Sequence, residues 1–183
     1  MMNYIKNKNM LLNAHSVEKL ISDSNKFGQR ATVGYDLSLK EVKSLRIGPD
    51  NYISREKTYL NPHLYDKIEP DCLSAVITPE YKKGVEIWNL LPGTYSLVFD
   101  QGLKLPNNRT GLIIQRSSLL RCGIKIDGSI YDSGFEVENI GAMMFCWNPI
   151  SIEVHARIAQ LIVMENEEAE VYRGQFQGIK DIK

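Results

Sequence analysis

Hydrophobic and polar residues alternate along much of the chain, which is typical of β-strands with one buried face. The alternation predicts strands at residues 35–39, 94–99, 111–114, 140–147, 150–154 and 158–164. Residues that favour turns, such as Pro92-Gly93 and Asn148-Pro149, separate these segments. Many short strands at roughly ten-residue spacing predict an all-β fold, either a barrel or a jelly roll, with one or two short helices.

One helix is predicted near the start of the chain, over residues 10–22. Either Asn13 or Ser16 can cap its amino end. Its apolar face, at helical spacing, consists of Val17, Leu20 and Ile21. Residues 40–83 show no regular pattern, and we interpret them as an insertion or long excursion around an early strand rather than as a separate domain.

The length and the charge balance narrow the possible classes of protein. With 183 residues, the chain is expected to form one domain over residues 1–183, with a mobile carboxyl-terminal tail from about residue 165. Its 22 basic and 22 acidic residues give no overall field that would attract nucleic acid or an anionic membrane. Because no apolar run approaches the roughly 20 residues of a membrane span and no leader opens the chain, we expect a cytoplasmic protein without a membrane partner.

The cysteines and histidines give no sign of a metal centre. Cys72, Cys122 and Cys146 form no Cys-x-x-Cys pair, and the odd count favours reduced thiols in a cytoplasm. The three histidines have no metal-ligand spacing. The His-x-Glu and Pro-Cys-x-x-Cys pattern of zinc deaminases is missing, as are a Gly-x-x-x-x-Gly-Lys phosphate loop and a Gly-x-Ser-x-Gly elbow.

The strongest chemical signal is a cluster of arginines and serines followed by an aspartate. Two arginines and two hydroxyls fall within six positions, at Arg116, Ser117, Ser118 and Arg121. Guanidinium groups bind phosphate oxygens in pairs, and hydroxyls add further donors. Asp132 follows eleven residues after Arg121 and can orient or deprotonate a water molecule. These residue types together predict a site that holds a polyphosphate beside an activated water.

The same residues resemble those of a known family. Arg-Ser-Ser-Leu-x-Arg-x-Gly at residues 116–123 is similar to the phosphate-binding motif of the dCTP deaminase and trimeric dUTPase superfamily. Five further segments resemble its other motifs in the same order. They are residues 34–37, residues 91–95 together with 105–106, and residues 132–136, 157–161 and 172–178.

This resemblance implies a distorted jelly roll that assembles as a homotrimer, with each site shared between subunits. The implied substrate is a pyrimidine deoxynucleoside triphosphate, and Mg²⁺ enters on its phosphates rather than in a protein cage. The implied catalytic residues are Asp132, Ser117 and Arg121. The implied substrate-binding residues are Arg116, Ser117, Ser118, Arg121, Asp132, Phe135, Ile140, Gly141, Ala142, Gln160, Tyr172 and Gln177.

Some of these residues have an alternative, purely structural interpretation. Phe135 either packs against the sugar or belongs to the core. Gln160 either contacts a phosphate or forms a structural hydrogen bond inside its strand. Asp36 is expected to support the fold or a metal-bound water shell rather than to perform chemistry.

The chain departs from the family pattern at one important position. The deaminases carry a general-base glutamate in the strand after the Asp132 segment, and alignment places Ala142 or Phe145 there. Neither side chain can take a proton, which favours hydrolysis of dUTP to dUMP and pyrophosphate. Two alternatives stay open: dCTP deamination, alone or with hydrolysis, using Glu136 or Glu138 as the base, and a catalytically weak deoxynucleotide-binding regulatory protein.

Overall fold

The computed structural model describes residues 11–23, 27–45 and 74–166, together with the backbone of two short strands at 52–53 and 58–59. The elements before residue 85 are α1 (Ala14–Glu18), β1 (Ile21–Ser22), β2 (Gln29–Arg30), β3 (Tyr35–Leu45), β4 (Tyr52–Ile53), β5 (Thr58–Tyr59), β6 (Ser74–Val76) and β7 (Glu80–Lys82). They are followed by β8 (Val85–Leu90), β9 (Gly93–Phe99), β10 (Gly102–Lys104), β11 (Arg109–Gln115), a 3-10 helix (Ser117–Cys122), β12 (Ile124–Tyr131), β13 (Glu136–Val137), β14 (Gly141–Cys146), β15 (Ile150–Glu153) and β16 (Arg157–Glu165).

Six of these strands close into an antiparallel barrel. Their order around the barrel is β16, β11, β12, β14, β9 and β3, and β3 pairs back onto β16. Closure satisfies the backbone groups that an edge strand would expose. The all-β prediction is confirmed: the described residues form mostly strands, with one α-helix and one 3-10 helix.

Alternation along the barrel strands separates the core from the outer surface. On β16, the residues Ala159, Leu161 and Val163 are buried, whereas those between them are partly exposed. The same period of two occurs on β11, where Gly111 and Ile113 point inward. The inward residues of the six strands merge into a single apolar core, which supplies the main driving force for folding.

Smaller sheets contribute further side chains to the same core, among them Leu103 and Trp88. β1, β10 and β13 form one three-stranded sheet, and β15, β8 and β7 form another. β4 and β5 pair only with each other among the described strands. None of the helices in the described part of the chain is long and apolar enough to span a bilayer.

The amino-terminal helix is shorter than its sequence predicts. Asn13 is its cap, because the Asn13 side chain accepts a hydrogen bond from the Ser16 N–H at 3.0 Å. The helix ends at Glu18, and Ile21 and Ser22 pair with β10 instead. Sheet pairing has therefore overridden the helical pattern at residues 21–22. Residue 10 lies outside the described residues.

Residues 40–83 are more regular at their two ends than the sequence indicates. β3 continues through the bulge at Leu39–Glu41 to Leu45, and it pairs with β6 near the other end of the segment. β7 follows and joins the sheet of β8. These ends are thus strands of the main fold, while most of residues 46–73 lie outside the described residues.

Gly34 enters β3 with a φ of +79°, at the point where β3 joins β16 and closes the barrel. A Cβ atom there would collide with the carbonyl oxygen of Leu161. We therefore expect Gly34→Ala to lower the free energy of unfolding by about 2–4 kcal/mol, through backbone strain and this collision. Urea unfolding measures the loss.

Gly84 provides the matched control for this substitution. Its φ is +88°, but no atom lies within 4 Å of an added Cβ. Gly84→Ala should therefore show the backbone strain alone, about 1–2 kcal/mol. Equal losses in the two variants would contradict a contribution from the collision with Leu161.

Candidate functional site

The arginine–serine loop, residues 116–123, connects β11 to β12 at one end of the barrel. Ser117–Cys122 form a 3-10 helix, and Gly123 ends it in the left-handed conformation at φ 68° and ψ 34°. Only glycine adopts this conformation without strain, so the final glycine of the motif has a local structural cause. The Trp147 N–H donates to the Gly123 carbonyl at 3.0 Å and fixes the end of the loop against the residue after β14.

Arg116 is held in place from two sides. Its Nε lies 3.2 Å from Oδ2 of Asp36, and its Nη1 donates to the Arg157 carbonyl at 2.9 Å. A guanidinium group has five N–H donors, so these contacts leave others for an anion. Asp36 is 7% exposed, and its ion pair orients the arginine. Its expected supporting role therefore consists, at least in part, of positioning Arg116.

The other polar side chains of the loop face solvent. Ser117, Ser118 and Arg121 are all exposed. In a 3-10 helix, residues three apart lie on one face, which places Ser118 and Arg121 on the same side. One short loop thus carries two hydroxyls and two guanidinium groups. This arrangement is suited to binding the oxygens of a polyphosphate.

Asp132 lies in a tight turn, residues 132–135, directly after β12. The Phe135 N–H donates to the Asp132 carbonyl at 3.1 Å, and Gly134 has a φ of +76°. These features match a type II turn, which requires a positive φ at its third residue. The side chain of Asp132 is exposed, so its carboxylate is accessible to a substrate or to water.

The loop and the turn lie at opposite ends of the barrel. β12 separates them by eight residues, Ile124–Tyr131, which span about 25 Å at the usual rise of a strand. β16 gives the same result independently: Arg116 bonds to Arg157 at its start, and Ser133 bonds to Asn166 just beyond its end. Arg121 and Asp132 of one chain therefore do not meet around the same triphosphate.

Gln160 forms a structural hydrogen bond, which is one of the two roles that its sequence position allows. Its Nε2 donates to the Val33 carbonyl at 2.8 Å. Gln160 pairs with Asp36 on β3 and with Ile114 on β11, so it lies at the same end as the arginine–serine loop. A contact between Gln160 and a phosphate stays a prediction.

The segment 140–142 lies near the Asp132 end, and its residues differ in what they can contact. Ile140 is fully buried, its N–H donates to the Gln101 carbonyl, and its carbonyl accepts from the Phe99 N–H, both at 2.8 Å. Both backbone groups of Ile140 are thus engaged within the chain, and a contact between Ile140 and a substrate stays a prediction. Gly141 and Ala142 are only partly buried.

Tyr131 fixes the position of Gly141. Its hydroxyl donates to the Gly141 carbonyl at 2.7 Å. Burial raises the pKa of Tyr131 to about 12, so the hydroxyl keeps its proton and stays a donor at neutral pH. The Phe135 ring lies 5.0 Å from the Tyr131 ring and is 7% exposed. In the single chain Phe135 is thus a core residue, and its contact with a sugar stays a prediction.

The described residues do not include the predicted tail residues, and they form no metal site of their own. Tyr172 and Gln177 of the tail lie outside the described residues. Within the described ranges, the His, Cys, Asp and Glu side chains form no group of three that could hold a metal ion. Asp36, whose carboxylate contacts the arginine–serine loop, is already engaged in an ion pair with Arg116.

Comparison with known proteins gives a consistent family relationship. A family model described as dCTP deaminase-like matches residues 5–166. A relative from Aeropyrum pernix, named "Probable deoxyuridine 5'-triphosphate nucleotidohydrolase", is 32% identical over 149 residues, which cover 79% of this chain and 82% of the relative. A Methanosarcina mazei protein with the same name is 27% identical over 150 residues, covering 79% and 78%.

A solved structure supports the fold. The 2'-deoxycytidine 5'-triphosphate deaminase from Agrobacterium tumefaciens superposes with a TM-score of 0.58 at 13% identity. The match covers 86% of this chain and 49% of that chain, so this chain spans about half of the deaminase's length. The motif order, the closed barrel and the family match agree, and the chain belongs to the dCTP deaminase-like family.

Proposed function

We propose that the protein is a dUTP diphosphatase, which converts dUTP and water to dUMP and pyrophosphate. The names of its relatives in Aeropyrum pernix and Methanosarcina mazei support this reaction. The observation that carries the choice between hydrolysis and deamination is the composition of β14. That strand follows the Asp132 turn and is the place where the resemblance puts a deaminase's general base.

β14 contains no carboxylate. Its sequence is Gly-Ala-Met-Met-Phe-Cys, and its only ionisable side chain is the Cys146 thiol. Burial raises the pKa of Cys146, so this thiol is a poor base near neutral pH. Attack of water on C4 of cytosine requires a base beside that carbon. The proposed enzyme therefore hydrolyses the triphosphate and leaves the base unchanged.

The two nearby glutamates are poorly suited to replace the missing base. Glu136 lies on β13, and its carboxylate forms an ion pair with Lys104 at 3.0 Å. Glu138 is exposed in the connection between β13 and β14. Neither residue lies on β14, so the deaminase alternative would need a rearranged connection.

In the proposed site, the arginine–serine loop holds the triphosphate. Arg116 and Arg121 bind phosphate oxygens in pairs, and Ser117 and Ser118 donate further hydrogen bonds. Such donors stabilise the charge that develops as the bond between the α-phosphorus and the bridging oxygen breaks. Mg²⁺, bound to the phosphate oxygens and to water, would neutralise part of the same charge.

Asp132 is the proposed general base. It accepts a proton from the water whose oxygen attacks the α-phosphorus, and pyrophosphate leaves with the bridging oxygen. Gly141 and Ala142, which lie near this end of the barrel, are the candidates for reading the pyrimidine edge through their backbone. Phe135, a core residue, is proposed to pack against the sugar and to limit the space beside it.

Because Asp132 is about 25 Å from the arginine–serine loop of its own chain by strand geometry, the proposed site uses two copies. One copy supplies the loop, and the other supplies the Asp132 turn. We propose that three copies form a closed ring with three such sites, in which every half-site has a partner. The proposal includes a single domain over residues 1–183 and a cytoplasmic location.

The test is to incubate the purified protein and Mg²⁺ with dUTP and dCTP separately and to resolve the products by ion-exchange chromatography. We expect dUMP and pyrophosphate from dUTP, and no change in dCTP. Formation of dUTP or dUMP from dCTP would show that another group supplies the deaminase base. Binding of both nucleotides without turnover would favour the regulatory alternative and overturn the proposed reaction.

A further inference from the structure

Two buried side-chain atoms have no hydrogen-bond partner among the described residues, and one lies beside each half of the proposed site. They are Nε2 of Gln115 and Oδ1 of Asn166. Gln115 immediately precedes Arg116, and Asn166 contacts the residue after Asp132. Buried polar atoms without a partner are rare in folded proteins, because burial removes their hydrogen bonds to water.

Asn166 fastens the Asp132 turn to the barrel. Its Nδ2 donates to Oγ of Ser133 at 3.0 Å, and that hydroxyl donates in turn to the Arg109 carbonyl at 3.1 Å. The backbone N–H of Asn166 donates to the Asn108 carbonyl at 3.1 Å. The turn is thus tied through Ser133 to the start of β11 and to the residue after β16.

Gln115 closes the base of the arginine–serine loop. It is the last residue of β11, and its Oε1 accepts a hydrogen bond from the backbone N–H of Ile126 at 3.0 Å. The register between β11 and β12 shifts next to this position, between Leu112 and Ile114. The Gln115 amide therefore provides the Ile126 N–H with an acceptor and joins the two strands that carry the loop.

Both amides satisfy one neighbour and leave one buried atom unsatisfied. An apolar side chain of similar size would avoid that cost, so stability alone does not account for an amide at either position. Costs of this kind are tolerated where a side chain serves the geometry of a site. We propose, resting on the proposed function, that Asn166 and Gln115 are positioning residues: Asn166 sets the position of Asp132, and Gln115 sets that of the arginine–serine loop.

The first experiment replaces Asn166 by leucine, which keeps the branching at Cγ and removes the amide. We expect kcat for dUTP to fall about 10-fold to 100-fold, as when a catalytic group is displaced by about 1 Å. The urea midpoint should stay the same or rise, because an unsatisfied buried atom is removed. Hydrogen exchange of the Phe135 N–H, which donates to the Asp132 carbonyl, should become faster.

Rescue by proline separates positioning from a general loss of structure. Ser133 is the second residue of the type II turn, a position where proline is common because its fixed φ suits the turn. In the double variant Asn166→Leu with Ser133→Pro, a rigid turn no longer needs the hydrogen bond from Asn166. We expect most of the lost kcat and the slow exchange of Phe135 to return. Failure of both to return, with a folded protein, would overturn the role of Asn166.

The second experiment replaces Gln115 by methionine. We expect kcat/KM for dUTP to fall about tenfold, with most of the loss in KM, because a displaced loop weakens the contacts that hold the phosphates already in the ground state. Exchange of the Ile126 N–H should become faster. An unchanged KM would overturn the role of Gln115. A loss of activity that is fully explained by a loss of thermal stability would overturn it as well.

Asn89→Leu is the control for removing an amide elsewhere. Asn89 on β8 is fully paired, since its Nδ2 donates to Glu80 at 2.9 Å and its Oδ1 accepts from Ser151 at 2.7 Å. This variant should lose a little stability and keep both kcat and KM. If the wild-type protein does not hydrolyse dUTP, the proposed function fails, and the exchange rates of Phe135 and Ile126 still decide whether the two amides fix their segments.

Discussion

Replacing Asp132 with asparagine is expected to lower kcat for dUTP hydrolysis by about 10²–10⁴, the usual contribution of a positioned general base. The amide keeps the size of the side chain but cannot accept the proton of the attacking water. Asp132 is exposed, so the free energy of unfolding should change by no more than about 0.5 kcal/mol. Steady-state kinetics and urea unfolding on the same preparation measure both quantities.

Asp127→Asn is the matched control for this loss of a carboxylate. Asp127 lies on the same strand, β12, is exposed, and forms an ion pair with Lys125 at 3.2 Å. Exposed pairs of this kind contribute little to stability. The control should therefore keep full activity and nearly full stability. A protein with Asp132→Asn that turns over dUTP as fast as this control would remove Asp132 from the mechanism.

Mixing two inactive variants is expected to restore activity. Arg121→Ala damages the phosphate half of the site, and Asp132→Asn damages the carboxylate half. In a shared site, the loop of one variant can meet the turn of the other. If equal amounts unfold and refold together, random assembly gives an intact pair at about one quarter of the sites in a symmetric ring. We therefore expect about a quarter of the wild-type rate.

The control mixture pairs the Asp132→Asn variant with a double variant that carries both substitutions. No combination of those chains contains an intact carboxylate half, so this mixture should stay inactive. Equal rates in the two mixtures, or no recovery in the first despite a ring-sized mass in solution, would show that each chain builds its site alone. A monomeric mass in solution would contradict the shared site directly.

The sequence predicted the other five barrel strands but missed β12, which contains a pair of residues that is typical of turns. Residues 124–131 contain Asp127-Gly128, a pair that is typical of a hairpin turn. In the structure Gly128 lies within the strand, where a Cβ atom would collide with the side chain of Ile113. This glycine serves close packing rather than a turn. A single sequence cannot separate those causes, because the contact joins residues on different strands.

The types of residue in the site could be predicted, but not their arrangement. The cluster at Arg116 and the carboxylate at Asp132 follow from residue chemistry and spacing. The ion pair between Arg116 and Asp36 joins residues far apart in sequence, and it depends on the register of β16 with β3. The hydrogen bonds of Gln115 and Asn166 depend on three-dimensional contacts in the same way. Gln115 has one signal in the sequence, its place directly before Arg116, whereas Asn166 is far from Asp132 in the sequence and has no such signal.

The length of β12 has a consequence for communication between sites. In the proposed ring, every chain takes part in two sites, one at each end of this strand. The length of the strand therefore sets the distance between them. Neighbouring sites are then separated by about 25 Å, the rise of eight strand residues. Substrate bound in one site does not touch the next, and any cooperativity would have to pass through the barrel wall itself. Unless that wall changes shape, the rate should follow a simple hyperbola in substrate concentration.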